Sequence, residues 1–283
     1  MITMTRRVSF ACAMANWIFA ASDEENRLRL GPRASAEPFG ASFVLDVSVR
    51  GEIDGRTGIL VNIKDIDQIV RERIVRRLDG RYLNQAVPEF AGRAVTPATI
   101  ALFAEQALDG HMPACAALSG IRLEVLSGSR VTLTHSPTAG KEKELEVTHS
   151  YEFSASHRLD SPALSPQENQ ELFGKCNYEN GHGHNYVLEV TVAGPIDETS
   201  GRVIDPVALD AIVNQRVVDR YDHRHLNKDI DEFRETIPSA EVITRAIWDQ
   251  LAGHIPAPAR LRRVHLKETA RNLFEYSGED SAE

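Results

Sequence analysis

The stretch "LEVTHSYEFSASHRL" alternates, with Val147, Tyr151, Phe153 and His157 on one parity. Successive side chains of a strand leave opposite faces, so the pattern predicts a strand with one buried side. "HGHNYVLEVTVAG" alternates again, and His182, His184, Tyr186, Leu188 and Val190 share a parity. "ETSG" at 198–201 reads as a turn between that strand and a third. Pro206 then opens a helix, "PVALDAIVNQRVVDRY", with proline in its first turn. "SAEVITRAIWDQLAG" is a second helix, capped by Ser239 and closed by Gly253. "RRVHLKETA" and "LFEYSG" finish as strands. This order predicts an α+β unit, with helices packed on one face of an antiparallel sheet.

The pattern occurs twice. At an offset of 143 positions Phe10 falls on Phe153 and Gly31 on Gly174. "FGASFVLDVSVRGEIDGRTGILV" (39–61) falls on "HGHNYVLEVTVAGPIDETSGRVI" (182–204), and "DGRYLN" (79–84) on "DHRHLN" (222–227). One ungapped offset over this length predicts two copies of one fold, residues 1–134 and 147–283. They are joined by "HSPTAGKEKELE" (135–146), a polar linker with Pro, Gly and a charge run. The offset also decides how "VSFACAMANWIFAAS" is read. After Arg6 and Arg7 it has the basic start and apolar middle of a signal peptide. It is too short, and too broken by Asn16, for a membrane span. Because it falls on a strand of the second copy, it is expected to be a buried strand of the first.

Composition narrows the function classes. A chain of 283 residues has room for two domains, and 26% charged with 42% hydrophobic residues is ordinary for a globular protein. A net charge of −9 argues against nucleic acid as a partner, and no membrane partner is expected. Cys12, Cys115 and Cys176 are odd in number and widely spaced, so they form no disulfide framework. A reducing compartment such as the cytoplasm fits best.

The candidate chemistry lies in the second copy. His182 and His184 are two apart, so on a strand both imidazoles reach the same side, as two ligands of one metal ion do. Gly183 between them lets the backbone pass close. His157, at the end of the preceding strand, is the candidate third ligand. Three imidazoles with an open fourth position suit a catalytic zinc ion. An isolated His-x-His pair is more often a polar loop, but eight of the ten histidines lie after position 148. At the offset His157, His182 and His184 fall on Met14, Phe39 and Ala41. The joint loss of all three suggests that they work as a set and that the first copy has no such site.

Cys176 falls on Arg33 and sits beside Lys175 in an Asn- and Gly-rich loop, which suits a base or nucleophile better than a buried thiol. Cys12 and Cys115 lie in apolar or Ala-rich runs and read as packing residues. Asp222 beside His223 forms a carboxylate–imidazole pair only at a helix end or turn, since neighbours on a strand point apart. In the first copy the Asp persists as Asp79 and the His becomes Gly80. Glu268 falls on Val125, which favours a specific acceptor for N–H donors of a ligand. Glu241 falls on Ala98; a carboxylate at a helix start is also favoured by the helix dipole alone.

With these residues assembled, "FSASHRL", "FGKCNYENGHGHNY", "GRVID", "YDHRHLN" and "LKETARNLFEYSG" resemble the 6-pyruvoyl-tetrahydropterin synthase family, which includes 6-carboxy-tetrahydropterin synthases. The resemblance runs over 147–279. It implies the tunnelling fold, here as tandem units each with a four-stranded antiparallel sheet and two helices on one face. It implies zinc on His157, His182 and His184, and Cys176 as general base. Asp222 and His223 would be the second proton-transfer pair, with Glu268 on the pterin; Glu241 is a further candidate for substrate binding. The implied reaction is a lyase step on 7,8-dihydroneopterin triphosphate. It would give a 6-pyruvoyl or 6-carboxy tetrahydropterin with loss of triphosphate, for pterin or queuosine (7-deazaguanine) synthesis. The spacing from Cys176 to His182 looks more like the pyruvoyl type. The family's sites lie between subunits, which implies a homo-oligomer, a trimer of tandem chains or larger. The alternative is an impaired pterin-binding or regulatory protein, because the first copy lacks every one of these groups except Asp79.

Overall fold

The computed structural model describes residues 1–126, 130–134 and 144–278. Most of the expected linker, 135–143, lies outside the described residues; its last two, Leu145 and Glu146, already belong to a strand. The chain divides into two compact units, one of Met1–Val147 with Gly194–Val203, the other of Thr148–Ala193 with Ile204–Glu283.

In the first unit the strands are β1 (Ile2–Met14), β2 (Phe39–Gly51), β3 (Ala117–Val125) and β4 (Arg130–Thr134), paired antiparallel in that order. The apolar start of the chain is β1, and its alternation buries Val8, Phe10, Cys12 and Met14. The helices are α1 (Asp23–Leu30), α2 (Ile63–Val70) and α3 (Pro97–Leu108).

The second unit repeats this almost residue for residue. Its sheet runs β5 (Leu145–His157), β6 (His182–Gly194), β8 (Arg260–Lys267) and β9 (Leu273–Tyr276), and the two-residue β7 (Arg224–His225) pairs parallel with β5. Its helices are α4 (Pro166–Phe173), α5 (Pro206–Val213) and α6 (Ala240–Ala252), the last capped by Ser239 as expected. Register is preserved at the same offset. Ser48 pairs with Gly120 and Thr191 with Arg263, and a bulge follows at Ser48/Val49 and at Thr191/Val192. The stacked rings of Phe10 and Phe43, 5.2 Å apart, recur as Phe153 and Tyr186 at 5.0 Å.

The long helix shows why the repeat is so exact in shape. Ile66, Val70, Ile74 and Leu78 are fully buried, as are Leu209, Val213, Val217 and Tyr221. A strict four-residue spacing runs ahead of a helix with 3.6 residues per turn. Over three steps the excess is about one residue. A π turn, Arg71–Val75 in one unit and Asn214–Val218 in the other, takes up that residue and keeps the stripe on the sheet.

Three expectations need correction. The third strand after the 198–201 turn does not form; a single bridge joins Asp197 and Arg202. The Asp197 carboxylate accepts the Ser200 N–H at 2.6 Å, and the Asp205 carboxylate caps α5, so caps at both ends leave no room for a ladder. Cys115, expected to pack in the interior, is exposed. In addition α4 forms in a stretch to which the pattern assigned no element. Its capping box, Ser165 with Glu168, recurs as Ser22 with Glu25 in α1.

Candidate metal centre and catalytic side chains

The ends of β5 and β6 carry the three histidines to one place. One ring nitrogen from each of His157, His182 and His184 lies within 4.8 Å of the others. The His157 Nδ1–H donates to the carbonyl oxygen of Pro238 at 2.6 Å, just before α6. That bond fixes the tautomer and leaves a lone pair on Nε2. This Nε2 stands 3.2 Å from Nε2 of His182, and the Nε2 of His184 is buried without a hydrogen-bond partner. Three converging imidazole nitrogens, with the His157 lone pair aimed among them, fit a soft-to-borderline divalent cation. Burial holds the His157 imidazole below its ordinary pKa despite the Pro238 bond, and burial followed by the nearby His184 does the same to His182. Neutral rings are the form that binds a metal.

Gly181 makes the approach possible. It sits at φ +70°, and a Cβ there would lie 2.5 Å from the His157 carbonyl oxygen and 3.2 Å from the His225 ring. Only glycine tolerates both the angle and the space.

Glu268 follows β8 and turns toward the same cluster. Its Oε1 lies 3.8 Å from Nε2 of both His157 and His184, and Asn272 donates to its Oε2 at 3.1 Å. Tyr186 lies beneath; its hydroxyl is buried without a partner, and burial with the Glu268 charge pushes its pKa up.

Cys176 lies half-buried in a 3₁₀ turn, Gly174–Asn177. The turn is stitched to the residues just after His157: the Cys176 carbonyl accepts from Leu159 N–H at 2.9 Å, and Arg158 Nε donates to the Asn177 carbonyl at 3.0 Å. The Asn227 side chain clamps the Arg158 backbone through both its groups.

Asp222 and His223 form their pair at a helix end, as the chemistry required. Asp222 ends the helix; its Oδ1 accepts Ser154 N–H at 2.7 Å and its Oδ2 accepts from His223 Nδ1 at 2.8 Å. These bonds, led by the Ser154 N–H, hold the carboxyl below the usual carboxylate range. His223 has φ 57°, the only positive φ at a non-glycine among the described residues, and its side chain is 83% exposed. Gly80, its counterpart, has φ 66°.

The structure therefore gathers His157, His182, His184 and Glu268. Cys176 and the Asp222–His223 pair lie along β5, and His223 lines one open cavity with His184. Glu241 stands exposed in the first turn of α6, the helix that follows the Pro238 carbonyl. Sequence reading missed the supporting groups: Pro238, Asn227, and Asn177, whose side chain donates to Leu159 O and Asp160 Oδ1. Asn227 was legible in one respect, since Asn84 repeats its role on Ala15.

Among the described residues, then, the fold is a doubled α+β unit with one three-imidazole cluster, in the second unit. The family description "6-pyruvoyl tetrahydropterin synthase" matches residues 5–139 and again 146–279. The chain belongs to that family, twice over, and the family makes tetrahydropterins from dihydroneopterin triphosphate by triphosphate-eliminating lyase chemistry. The 6-pyruvoyl tetrahydrobiopterin synthase of Drosophila melanogaster is 42% identical over 132 residues, 47% of this chain and 79% of that protein. The human enzyme of the same name is 39% identical over 140 residues, 50% of this chain and 96% of its own length. The solved Caenorhabditis elegans 6-pyruvoyl tetrahydropterin synthase is 40% identical, with 49% of this chain and 99% of that one covered and a TM-score of 0.47.

Proposed function

We propose that the second unit is a zinc-dependent lyase that converts 7,8-dihydroneopterin triphosphate to 6-pyruvoyl tetrahydropterin with release of triphosphate. The observation that carries this reading is the His157–His182–His184 cluster, with the His157 tautomer set by the Pro238 carbonyl. The 6-pyruvoyl product is favoured over 6-carboxy by the names of the relatives at 42% and 39% identity.

The three imidazoles would hold the ion, which when bound supplies Lewis acidity toward the substrate's side-chain hydroxyls. The protein's own groups do the rest. Glu268, on the rim of the cluster, anchors the pterin through its ring N–H groups. Cys176, as thiolate, takes a proton from the side-chain carbon. The Asp222 carboxylate orients the His223 imidazole, which moves the second proton. His223 projects into solvent, so the complete site needs another copy of the chain to bring it opposite a Cys176. Gly80 leaves the first unit unable to supply that imidazole. Glu241 contributes to the pterin end, from the start of α6.

The test is incubation of the zinc-loaded protein with 7,8-dihydroneopterin triphosphate, with products identified by mass spectrometry and Cys176→Ala alongside. Triphosphate with a 6-pyruvoyl pterin, lost in the variant, is expected. A 6-carboxy pterin would correct the product, and unchanged substrate that stays bound would replace catalysis with binding.

A further inference from the structure

The polar face of the first sheet carries a groove whose lining differs from the equivalent positions of the second. An open groove of about 420 Å³ crosses β1 to β4, lined among others by Thr3, Ser48, Arg50, Ser119, Arg122 and Thr132. Register brings these residues together: Thr3 pairs with Arg50, Ser48 with Gly120 and Arg122 with Thr132. Two guanidinium groups and four hydroxyls line one concavity, and no carboxylate does. Arg50 has no hydrogen-bond or ion-pair partner among the described residues. Arg122 keeps a buried Nε without a partner and only a 3.4 Å contact from Nη2 to Glu124. Asp46, opposite Arg122 in register, is already held by two nitrogens of Arg7 at 2.7 and 2.8 Å.

The second unit is the internal control, because its register is the same. At the offset, Thr3, Arg50, Ser119, Gly120, Arg122 and Thr132 become Glu146, Ala193, Arg262, Arg263, His265 and Glu275. There Arg263 faces Glu275 at 3.6 Å, and two carboxylates balance two arginines. In the first unit both carboxylates have become threonines; Arg50 is left without an ion-pair partner among the described residues, and Arg122 keeps Glu124 at 3.4 Å. The groove is thus cationic in a chain whose net charge is −9. Its residues depart from the shared scaffold while the backbone around them does not.

We propose that this groove is an anion site for an oligophosphate, free or carried on a small molecule. Planar guanidinium groups take phosphate oxygens two at a time, and serine and threonine hydroxyls donate to the oxygens that remain. The groove is of the size of small-ligand sites and has room for a phosphate chain. The site lies in the unit that lacks the histidine cluster, so its occupancy is separate from the proposed lyase chemistry.

Titration calorimetry of the full chain tests this, with inorganic triphosphate, ATP and inorganic phosphate as probes. One class of triphosphate sites is expected to survive His182→Ala, weaken about tenfold in each of Arg50→Gln and Arg122→Gln, and weaken further as salt rises from about 0.05 to 0.5 M. Thr3→Glu with Thr132→Glu, which puts back the carboxylates that the second unit has at these positions, should abolish it. All these groove variants should keep the wild-type circular dichroism spectrum. Binding of ATP as well as triphosphate marks a site that accepts a carried oligophosphate; triphosphate alone marks a free one. The proposal is overturned if triphosphate binding is unchanged in the groove variants, if it vanishes entirely in His182→Ala, or if inorganic phosphate binds as tightly as triphosphate.

Discussion

His223 holds the left-handed backbone conformation that its counterpart, Gly80, adopts freely. For a residue with a Cβ that conformation costs about 1 kcal/mol, and such strain concentrates where a side chain is needed. Restoring glycine should separate the two demands. His223→Gly is expected to leave the melting temperature unchanged or slightly raised, since strain relief is partly offset by the wider unfolded ensemble of glycine. The same substitution should lower kcat by about 10² or more if His223 moves a proton. Acid should act on the cluster in the opposite sense to a salt-bridged histidine. His157 and His182 have depressed pKa values in the folded chain, so below the unfolded value of about 6.5 the unfolded state binds protons that the folded state refuses. Stability of the metal-free chain therefore falls as pH drops through that value toward the depressed ones. Thermal melts at pH 7.5 and 5.5 check this, with a lower melting temperature at pH 5.5 expected.

At the scale of the element, the metal cluster depends on the start of α6 as much as on the strands that carry it. Ser239 caps the helix by accepting from Val242 N–H at 3.4 Å, and the preceding residue, Pro238, orients His157. Ser239→Ala is expected to cost about 1 kcal/mol of stability. It should also weaken zinc binding, measured by competition with a chromophoric chelator, because the carbonyl that fixes the His157 tautomer loses its support. An unchanged zinc affinity would show that β5 alone orients the ring. The loop of Cys176 is held differently, by Asn177, Arg158 and Asn227 across β5. Asn227→Ala removes both bonds to the Arg158 backbone and should impair turnover more than metal content.

At the scale of the whole molecule, the two units have kept a common backbone while their site residues diverged. Met14 and Phe39 pair in register where the second unit has His157 and His182. Converting Met14, Phe39 and Ala41 together to histidine is therefore expected to raise bound zinc from about one to about two ions per chain, read by elemental analysis after dialysis. Failure to gain an ion would mean that the surroundings of the first unit, and not only its ligands, have been lost. No helix among the described residues is long and apolar enough to cross a membrane.

Much of this was decided by local pattern. Alternation placed the long strands, Ser239 and Gly253 bounded a helix, and the doubled sequence predicted a doubled fold whose histidines occur once. Family motifs then supplied roles for Cys176, Asp222, His223 and Glu268. Other features were not legible. The missing third strand turned on carboxylate caps at Asp197 and Asp205 competing with a ladder, which alternation does not register. The Pro238 carbonyl is a backbone group, invisible to residue identity and brought to His157 only when α6 packs on its sheet. The groove at Arg50 and Arg122 joins residues from four strands, because only pairing register turns separate serines, threonines and arginines into one surface. Sequence by itself determined which elements form and which side chains are available; tertiary structure decided which of them meet, because contacts across strands depend on register and packing and not on distance along the chain.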